Sequence, residues 1–371
     1  MKFLASPNDC GELSAAMNCQ ICLHLAGRIL TLIVLFSAAP QTLREAANST
    51  GMLVSAAVRP DLFSEPAYAE TLAREFNMVE PEDVLKWWVV RRQPGSFDFR
   101  QGDEVVAFAH AHGMKVRGHC LVWDHDHPQW LAQSHLTPAQ LSDLLQEHIT
   151  TVMKHYAGQV FAWDVVNEAL DEKGQVKDSI WYNRPGIGLA EKETGYVEQA
   201  FRWARAADPQ ALLFYNEGGG EVLNRKSDAI YAMVKDFKHR GVPIDGVGLQ
   251  MHISQLDFDE AAVTNNIARL TALGLQVHIT ELDVALPTNS TGQAQNDDLQ
   301  KQADIYRRVV RACRQNPGCT AIQTWGFKDK YSWIVSHSHG TQGGALLLDR
   351  AYKPKPAYNV MLQELSAPRN R

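Results

Sequence analysis

Residues 163–169 read WDVVNEA, an apolar, β-branched run that ends in an Asn-Glu pair. Residues 275–283, LQVHITELD, follow a similar pattern and end in Glu281 and Asp283. Short apolar runs of this kind indicate buried strands of a parallel sheet, and in barrels of such strands the functional side chains lie at their carboxyl ends. The two stretches therefore indicate an α/β protein whose chemistry is placed at one end of its sheet.

Eight such runs alternate with amphipathic stretches after Ser49. Residues 137–155, which open with a Thr-Pro pair typical of a helix N-terminus, and residues 297–315 are predicted helices. No glycine-rich phosphate motif follows the first run, which argues against an open, doubly wound sheet. The pattern predicts a (β/α)8 TIM barrel as a single catalytic domain over residues 51–365. Its predicted strands are 51–57, 76–80, 115–122, 160–167, 211–216, 245–253, 275–282 and 320–326.

The N-terminal region resembles a secretory leader. Arg28 precedes an apolar run at 29–36 that ends in small residues, so residues 1–39 are expected to be a signal peptide or leader. An uncleaved membrane anchor is the alternative, although the run is short for a membrane span. Residues 40–50 are expected to be a short N-terminal segment and residues 366–371 a C-terminal tail. The expected location is secreted or periplasmic, with a membrane as partner only if the leader is uncleaved.

Charge and cysteine content exclude some classes of protein. Lys and Arg number 36 against 42 Asp and Glu, a formal net charge of −6 with no long basic run, so nucleic acid is not an expected partner. Cys313 and Cys319 flank a predicted helix-to-strand turn at a spacing that a disulfide can bridge, which we expect in an exported protein. Cys120 is expected to be buried. The histidines show no metal-ligand spacing, and we predict no metal and no cofactor.

Polar residues lie in or at the ends of the predicted strands three to seven. Glycoside hydrolysis needs one carboxylic acid to protonate the leaving oxygen and one carboxylate across the anomeric carbon. Glu168 and Glu281 fit, because strands four and seven lie roughly opposite each other in an eight-strand ring. Either glutamate alone could simply cap a helix, but the pair favours catalysis. A neutral or proton-sharing His252, oriented by Asp283, would keep Glu281 ionised, and nearby negative charge would raise the pKa of Glu168.

Six motifs in this order resemble family 10 of the glycoside hydrolases, the (β/α)8 xylanases. They are EDVLKW at 82–87, RGHCLVW at 117–123, DVVNE at 164–168, GLQMH at 248–252, ITELD at 279–283, and TWG at 324–326 with YSW at 331–333. The resemblance covers about residues 51–365. It implies a retaining endo-1,4-β-xylanase with Glu168 as acid/base and Glu281 as nucleophile. The implied partners are xylan and xylo-oligosaccharides, and a monomer is expected.

The resemblance also implies supporting roles for other residues. Catalytic support is expected from His252, Asp283, Asn167 and Gln250, with Asn167 hydrogen-bonded to the 2-hydroxyl of the sugar that is cleaved. The expected substrate-binding residues are Glu82, Asp83, Lys86, His119, Trp123, Asn216, Trp325 and Trp333. Lys86 and His119 would hold hydroxyls on the non-reducing side.

The chain departs from the usual family pattern near Lys86. Asp83 stands where asparagine is usual, and because a carboxylate only accepts hydrogen bonds, a hydroxyl contact there must reverse its sense. Trp88 stands where a small acidic or polar residue is common. These changes leave room for a mixed-specificity β-1,4-glycanase, because a pocket that excludes one extra group discriminates only modestly. A non-catalytic polysaccharide-binding barrel is the other alternative, but the grouped catalytic residues argue against it.

Overall fold

The computed structural model describes residues 41–289 and 294–368, and in this part of the chain eight parallel strands form a closed barrel. Each strand pairs with the next, and the eighth pairs with the first, so the ring has no open edge. The predicted (β/α)8 barrel is therefore confirmed. The strands are β1 (Leu53–Val58), β2 (Met78–Pro81), β3 (Lys115–Gly118), β4 (Ala162–Asn167), β5 (Leu212–Glu217), β6 (Gly246–Leu249), β7 (Gln276–Val284) and β8 (Cys319–Thr324).

A long helix follows each of these strands, and one more helix precedes β1 in the described residues. The helices are α1 (Leu43–Thr50), α2 (Pro66–Glu75), α3 (Arg100–Ala111), α4 (Pro138–His155), α5 (Gly195–Ala207), α6 (Arg225–His239), α7 (Glu260–Thr271), α8 (Asn296–Arg314) and α9 (Pro356–Ser366). Thr137 caps α4 through a reciprocal pair of hydrogen bonds with Gln140, as the Thr-Pro pair predicts. The loops contribute short helical turns at 60–62, 87–90, 129–132, 190–192, 329–331 and 334–337, and two-residue strands at 122–123, 252–253, 286–287 and 342–343.

Apolar side chains fill the layer between the strands and the helices, whereas the inside of the barrel also holds buried polar and charged side chains such as Arg117 and Asp164. Every residue of β4 is buried, because one face points into the barrel and the other against helices. On α4 the buried residues Leu141, Leu145, Ile149 and Val152 recur at helical spacing and cover the strands. This double packing holds the carboxyl ends of the strands in fixed positions.

The structure divides two of the predicted strands. β3 ends at Gly118, the peptide bond between His119 and Cys120 is cis, and the chain pairs with β4 again at 122–123. β6 ends at Leu249, and Met251 has a φ of 66° before 252–253 pair with β7. Strand seven ends two residues later than predicted, at Val284. These interruptions place His119 and His252 at the mouth of the barrel rather than along its wall.

The remaining structural predictions concern the termini and the cysteines. Cys313 and Cys319 form a disulfide between α8 and β8, and Cys120 is buried. The predicted leader at 1–39 lies outside the described residues, as do residues 369–371 of the predicted tail. Most of the predicted N-terminal segment is α1, which packs against α9. None of the helices in the described ranges has the length and apolar character needed to span a membrane.

Candidate active site

Glu168 lies one residue beyond the end of β4, where its backbone adopts a left-handed conformation with φ of 57°. Gln250 Nε2 donates a hydrogen bond to its Oε1 at 2.9 Å, and Trp123 Nε1 donates to its Oε2 at 3.1 Å. Both donors come from the interrupted regions that follow β6 and β3. The two predicted residues, Gln250 and Trp123, therefore hold the carboxyl group of Glu168 in one orientation.

Glu281 lies in β7, and its side chain is almost fully buried. Asn216 Nδ2 donates to its Oε1 at 2.7 Å, and His252 Nε2 lies 3.1 Å from its Oε2. Each carboxylate oxygen thus faces a donor, and the two contacts fix the orientation of the group. This arrangement suits a nucleophile, which needs a negative charge and a fixed direction of attack.

His252 lies between two carboxylates. Its Nδ1 is 3.1 Å from Asp283 Oδ1, while its Nε2 faces Glu281. Burial lowers the pKa of His252, but the charges and hydrogen bonds of Asp283 and Glu281 outweigh it and raise the pKa well above the ordinary value. Because both ring nitrogens face acceptors, the ring is a doubly protonated cation at neutral pH. Of the two states expected from the sequence, neutral or proton-sharing, these contacts favour the proton-sharing one, and Glu281 has a positive neighbour.

The pKa of Glu168 departs from its expected direction. Burial raises it, but the hydrogen bond from Gln250, the charge of Lys177 and the hydrogen bond from Trp123 together lower the pKa below the ordinary value. Lys177 Nζ lies 3.9 Å from Glu168 Oε2. The sequence suggested a raised pKa because it showed only the neighbouring acids. It did not show that a lysine nine residues further on folds back toward the carboxyl group.

Replacing Lys177 with glutamine is expected to extend activity to higher pH. Without the ammonium the pKa of Glu168 rises, and a general acid works only below its pKa. The alkaline limb of kcat/KM for xylohexaose should therefore move to higher pH, most clearly at low ionic strength, where charge is least screened. Lys173→Gln, an exposed lysine of the same loop, is the matched control. An unchanged alkaline limb in the Lys177 variant would contradict this electrostatic role.

Asn216 has a different role from the sugar contact that we predicted. It is fully buried, and its Nδ2 bonds to Glu281 and to Asn167 Oδ1, while its Oδ1 accepts a hydrogen bond from Thr280 at 2.7 Å. No polar atom of its side chain remains for a sugar. Gly248 makes this position possible, because a Cβ there would lie 2.2 Å from Asn216 Oδ1. Asn216 positions the nucleophile.

The same network positions Asn167. Its Oδ1 accepts hydrogen bonds from Asn216 at 2.9 Å and Gln250 at 3.3 Å. The amide nitrogen of Asn167 has no protein acceptor among the described residues, so it is the group available to donate to a sugar hydroxyl. Gln250 and Asn216 bond to Glu168 and Glu281 respectively, so one hydrogen-bonded chain connects the two glutamates.

The other predicted sugar-binding residues lie on one side of this pair. Lys86 Nζ is 5.1 Å from the ring of Trp123 and 5.8 Å from the ring of Trp325. Trp325 in turn contacts His119, at 5.3 Å between ring centres. Trp333 donates a hydrogen bond to Asp283 at 2.8 Å. The structure therefore brings Lys86, His119 and three tryptophans into one surface beside the catalytic pair.

Two acidic residues border Lys86. Asp83 Oδ1 accepts a hydrogen bond from Lys86 Nζ at 2.7 Å. Burial raises the pKa of Glu82 to about 7, and the charge of Asp83 adds to the rise while Arg59 and Lys86 oppose it. Near neutral pH Glu82 can therefore donate as well as accept a hydrogen bond. The donor on Glu82 compensates for the side-chain N–H that is lost where Asp83 replaces the usual asparagine.

Comparison with known proteins agrees with this geometry. Residues 42–364 match the sequence profile of Glycosyl hydrolase family 10. The chain belongs to glycosyl hydrolase family 10. It is 38% identical over 291 residues to endo-1,4-beta-xylanase B of Thermotoga neapolitana. This match covers 78% of this chain and 81% of that protein. It is 34% identical to endo-1,4-beta-xylanase C of Phanerodontia chrysosporium over 79% of this chain and 70% of that protein.

A solved structure of the same family has the same fold. Xylanase 10B from Thermotoga petrophila RKU-1, determined in complex with xylobiose, superposes with a TM-score of 0.83 at 37% identity. The match covers 89% of this chain and 98% of that chain. The family resemblance predicted from the six motifs is confirmed. The roles of individual residues remain predictions, to which the geometry adds physical support.

A buried cluster of charged residues, not predicted from the sequence, lies beneath the site of this family 10 hydrolase. Arg117 Nε lies 3.0 Å from Glu80 and 3.2 Å from Asp164, and all three side chains are fully buried. Asp164 Oδ2 also lies 3.0 Å from His119 Nδ1 and so orients that ring. Arg117 and Asp164 stand in the motifs quoted above, and a charged residue inside an apolar strand needs a partner. That signal could have identified the pair.

Glu80, His119 and Asp164 are the one set of described residues whose ligand atoms come close enough to hold a metal ion. Burial and the charge of Asp164 raise the pKa of Glu80 well above its ordinary value, although Arg117 opposes the rise. The charge of Arg117 offsets negative charge on the two acids that it contacts. This charge balance favours a structural role for the cluster, which supports His119 from below.

Proposed function

We propose that this protein is an endo-1,4-β-xylanase that hydrolyses internal bonds of xylan by double displacement with retention of configuration. The observation that carries the proposal is the pair Glu168 and Glu281, each bound by its own donors and joined by one hydrogen-bonded network. The similar proteins named above are endo-1,4-β-xylanases, and a xylanase of similar fold was solved with xylobiose. Xylan and xylo-oligosaccharides are the proposed substrates.

The environments of the two glutamates divide the first chemical step between them. Glu281, held by Asn216 and the His252 cation, attacks the anomeric carbon as a carboxylate. Glu168 gives its proton to the leaving oxygen, and a covalent glycosyl-enzyme forms. In the second step Glu168, now ionised, takes a proton from water, which attacks the same carbon and releases Glu281. Two inversions give overall retention.

A hydrogen bond to the 2-hydroxyl of the sugar favours the transition state of the attack by Glu281. The available donor is the amide nitrogen of Asn167, whose oxygen is held by Asn216 and Gln250. Positive charge develops on the sugar ring in the transition state, and a hydrogen bond that shortens as the ring flattens favours the transition state over the ground state. Because Asn167 cannot rotate without breaking these two contacts, its donor is already oriented when the substrate arrives.

We further propose that the enzyme acts outside the cytoplasm, secreted or periplasmic, as a monomer. Xylan is a polymer, so an endo-acting enzyme meets it outside the cell. The Cys313–Cys319 disulfide fits an oxidising compartment. All the groups used in the mechanism come from one barrel. Fractionation of the native host and size-exclusion chromatography of the purified protein test these two proposals separately.

The test of the proposed function is an NMR analysis of the products that the full chain forms from xylohexaose and, separately, from cellohexaose. A retaining endo-xylanase should release β-anomers from internal bonds of xylohexaose before mutarotation mixes them. Initial α-anomers would overturn the double displacement, and a preference for cellohexaose would indicate a mixed-specificity β-1,4-glycanase. Binding without cleavage would indicate a polysaccharide-binding barrel.

A further inference from the structure

The side chain of Trp88 is unusually open to solvent. The chain has nine tryptophans, all within the described residues, and Trp88 is the one whose side chain is exposed, with 44% of its surface accessible. The other eight are buried or partly buried. A large aromatic ring left in water forgoes the stabilisation that burial would provide, and its flat face is free to stack on a ligand.

The backbone that carries Trp88 is rigid. Trp87 is buried and stacks on His148 with ring centres 3.6 Å apart, and it also contacts Trp181 at 5.1 Å. The buried carboxylate of Asp126 accepts hydrogen bonds from the backbone N–H of Trp87 at 2.6 Å and of Trp88 at 3.3 Å. An exposed ring on a fixed backbone loses little conformational entropy when a ligand covers it.

Trp88 adjoins the predicted sugar-binding surface. Lys86, which faces Trp123 and Trp325, comes immediately before the helical turn at 87–90, and Trp88 is the second residue of that turn. Lys86 is buried in the site, whereas Trp88 two residues later is open to solvent. The backbone of Trp88 therefore lies at the border of the predicted sugar-binding surface, next to the residue assigned to the non-reducing side of the substrate.

We infer that Trp88 is a stacking platform for one more xylosyl unit, beyond the sugar held by Lys86. This inference rests on the proposed function. A xylosyl ring lacks the hydroxymethyl group of glucose and presents a flat face of C–H groups. These weakly positive C–H groups are attracted to the negative face of an indole ring. A neutral sugar also experiences no charge repulsion from the nearby ion pair of Asp83 and Lys86. The proposed ligand of Trp88 is the part of the xylan chain that extends out of the site.

The test compares Trp88→Ala with the wild-type full chain on xylotriose, xylotetraose and xylohexaose. The ratio of kcat/KM for xylohexaose to that for xylotriose should fall about fivefold, as expected for the loss of one aromatic contact. The loss should lie in KM rather than in kcat. The bonds cleaved in xylohexaose should also shift, because one binding mode loses its outermost contact.

Two further variants separate stacking from general apolar contact. Trp88→Tyr keeps a flat ring and should retain most of the length dependence, whereas Trp88→Leu keeps apolar surface without a flat face and should resemble alanine. An equal change for all chain lengths, or a leucine variant as good as tryptophan, would overturn the inference.

Calorimetric titration with xylohexaose distinguishes failure of this inference from failure of the proposed function. If the wild type proves unable to cleave xylo-oligosaccharides, the proposed function fails, yet weaker binding of xylohexaose by Trp88→Ala would still support the platform. If the wild type is active, the titration is made in the Glu281→Ala background, which does not consume the ligand. Equal affinities for xylohexaose with and without Trp88→Ala would overturn the platform in either case.

Discussion

Replacement of Glu281 by alanine is expected to abolish hydrolysis of every glycoside, whatever its leaving group. Asn216 and His252 hold the carboxylate of the proposed nucleophile, and alanine offers no atom that can form the covalent intermediate. We expect kcat/KM to fall by roughly 10⁴-fold or more, by analogy with the removal of other catalytic nucleophiles. Steady-state rates on xylan and on 4-nitrophenyl xylobioside measure the loss.

The matched control is Glu172→Gln, which removes an exposed carboxylate near Glu168 that pairs with Lys226. It should stay within a few-fold of wild type, because the Glu172 side chain is largely exposed and the buried Lys226 keeps its second partner, Glu217. Circular dichroism and thermal unfolding of Glu281→Ala would show that the barrel is folded. Full activity of a folded Glu281→Ala variant would refute the nucleophile assignment.

Glu168→Ala is expected to have an effect that depends on the leaving group. Xylan has a poor leaving group that needs a proton, so kcat/KM on xylan should fall about 10³-fold, within the usual contribution of a general acid. A nitrophenyl group departs without a proton, so kcat/KM on 4-nitrophenyl xylobioside should fall far less. The second step still lacks its base, so a burst of nitrophenol followed by slow turnover is expected.

Azide provides the internal control for this variant. It attacks the glycosyl-enzyme without general-base help, so it should restore turnover of the aryl substrate by Glu168→Ala and form β-xylobiosyl azide. It should give Glu281→Ala no such product, because that variant has no glycosyl-enzyme to intercept. Equal losses on xylan and on the aryl substrate would show that Glu168 is not the acid.

Local sequence patterns were sufficient to predict the barrel and its two glutamates. Alternation of apolar runs with amphipathic stretches depends on neighbours a few residues apart, and the strand ends at 167–168 and 281 follow from where each run stops. Two strand boundaries were wrong because the ladder breaks near His119–Cys120 and at Met251, where backbone conformation departs from what side-chain pattern predicts. Such departures are expected at functional sites.

The charge state of the site could not be read from the sequence. His252 and Glu281 are 29 residues apart, and Asn216 and Glu281 are 65 apart, so their contacts exist only when the barrel closes. The pKa of a buried group depends on which donors and charges lie within a few ångströms in a medium of low dielectric constant. The sequence left His252 neutral or proton-sharing and predicted a raised pKa for Glu168. The structure favours the proton-sharing His252 and lowers the pKa of Glu168.

By itself the sequence determined the architecture, the family and the chemical groups that the site contains, because covalent order and hydrophobic periodicity are local properties. Tertiary structure alone decided what those groups do to one another. It turned Asn216 from a predicted sugar contact into a support for Glu281, paired Arg117 with Glu80 and Asp164, and left Trp88 exposed beside Lys86. Those outcomes depend on packing between distant strands and loops, since packing determines which polar atoms keep access to water and which must find a partner in the protein.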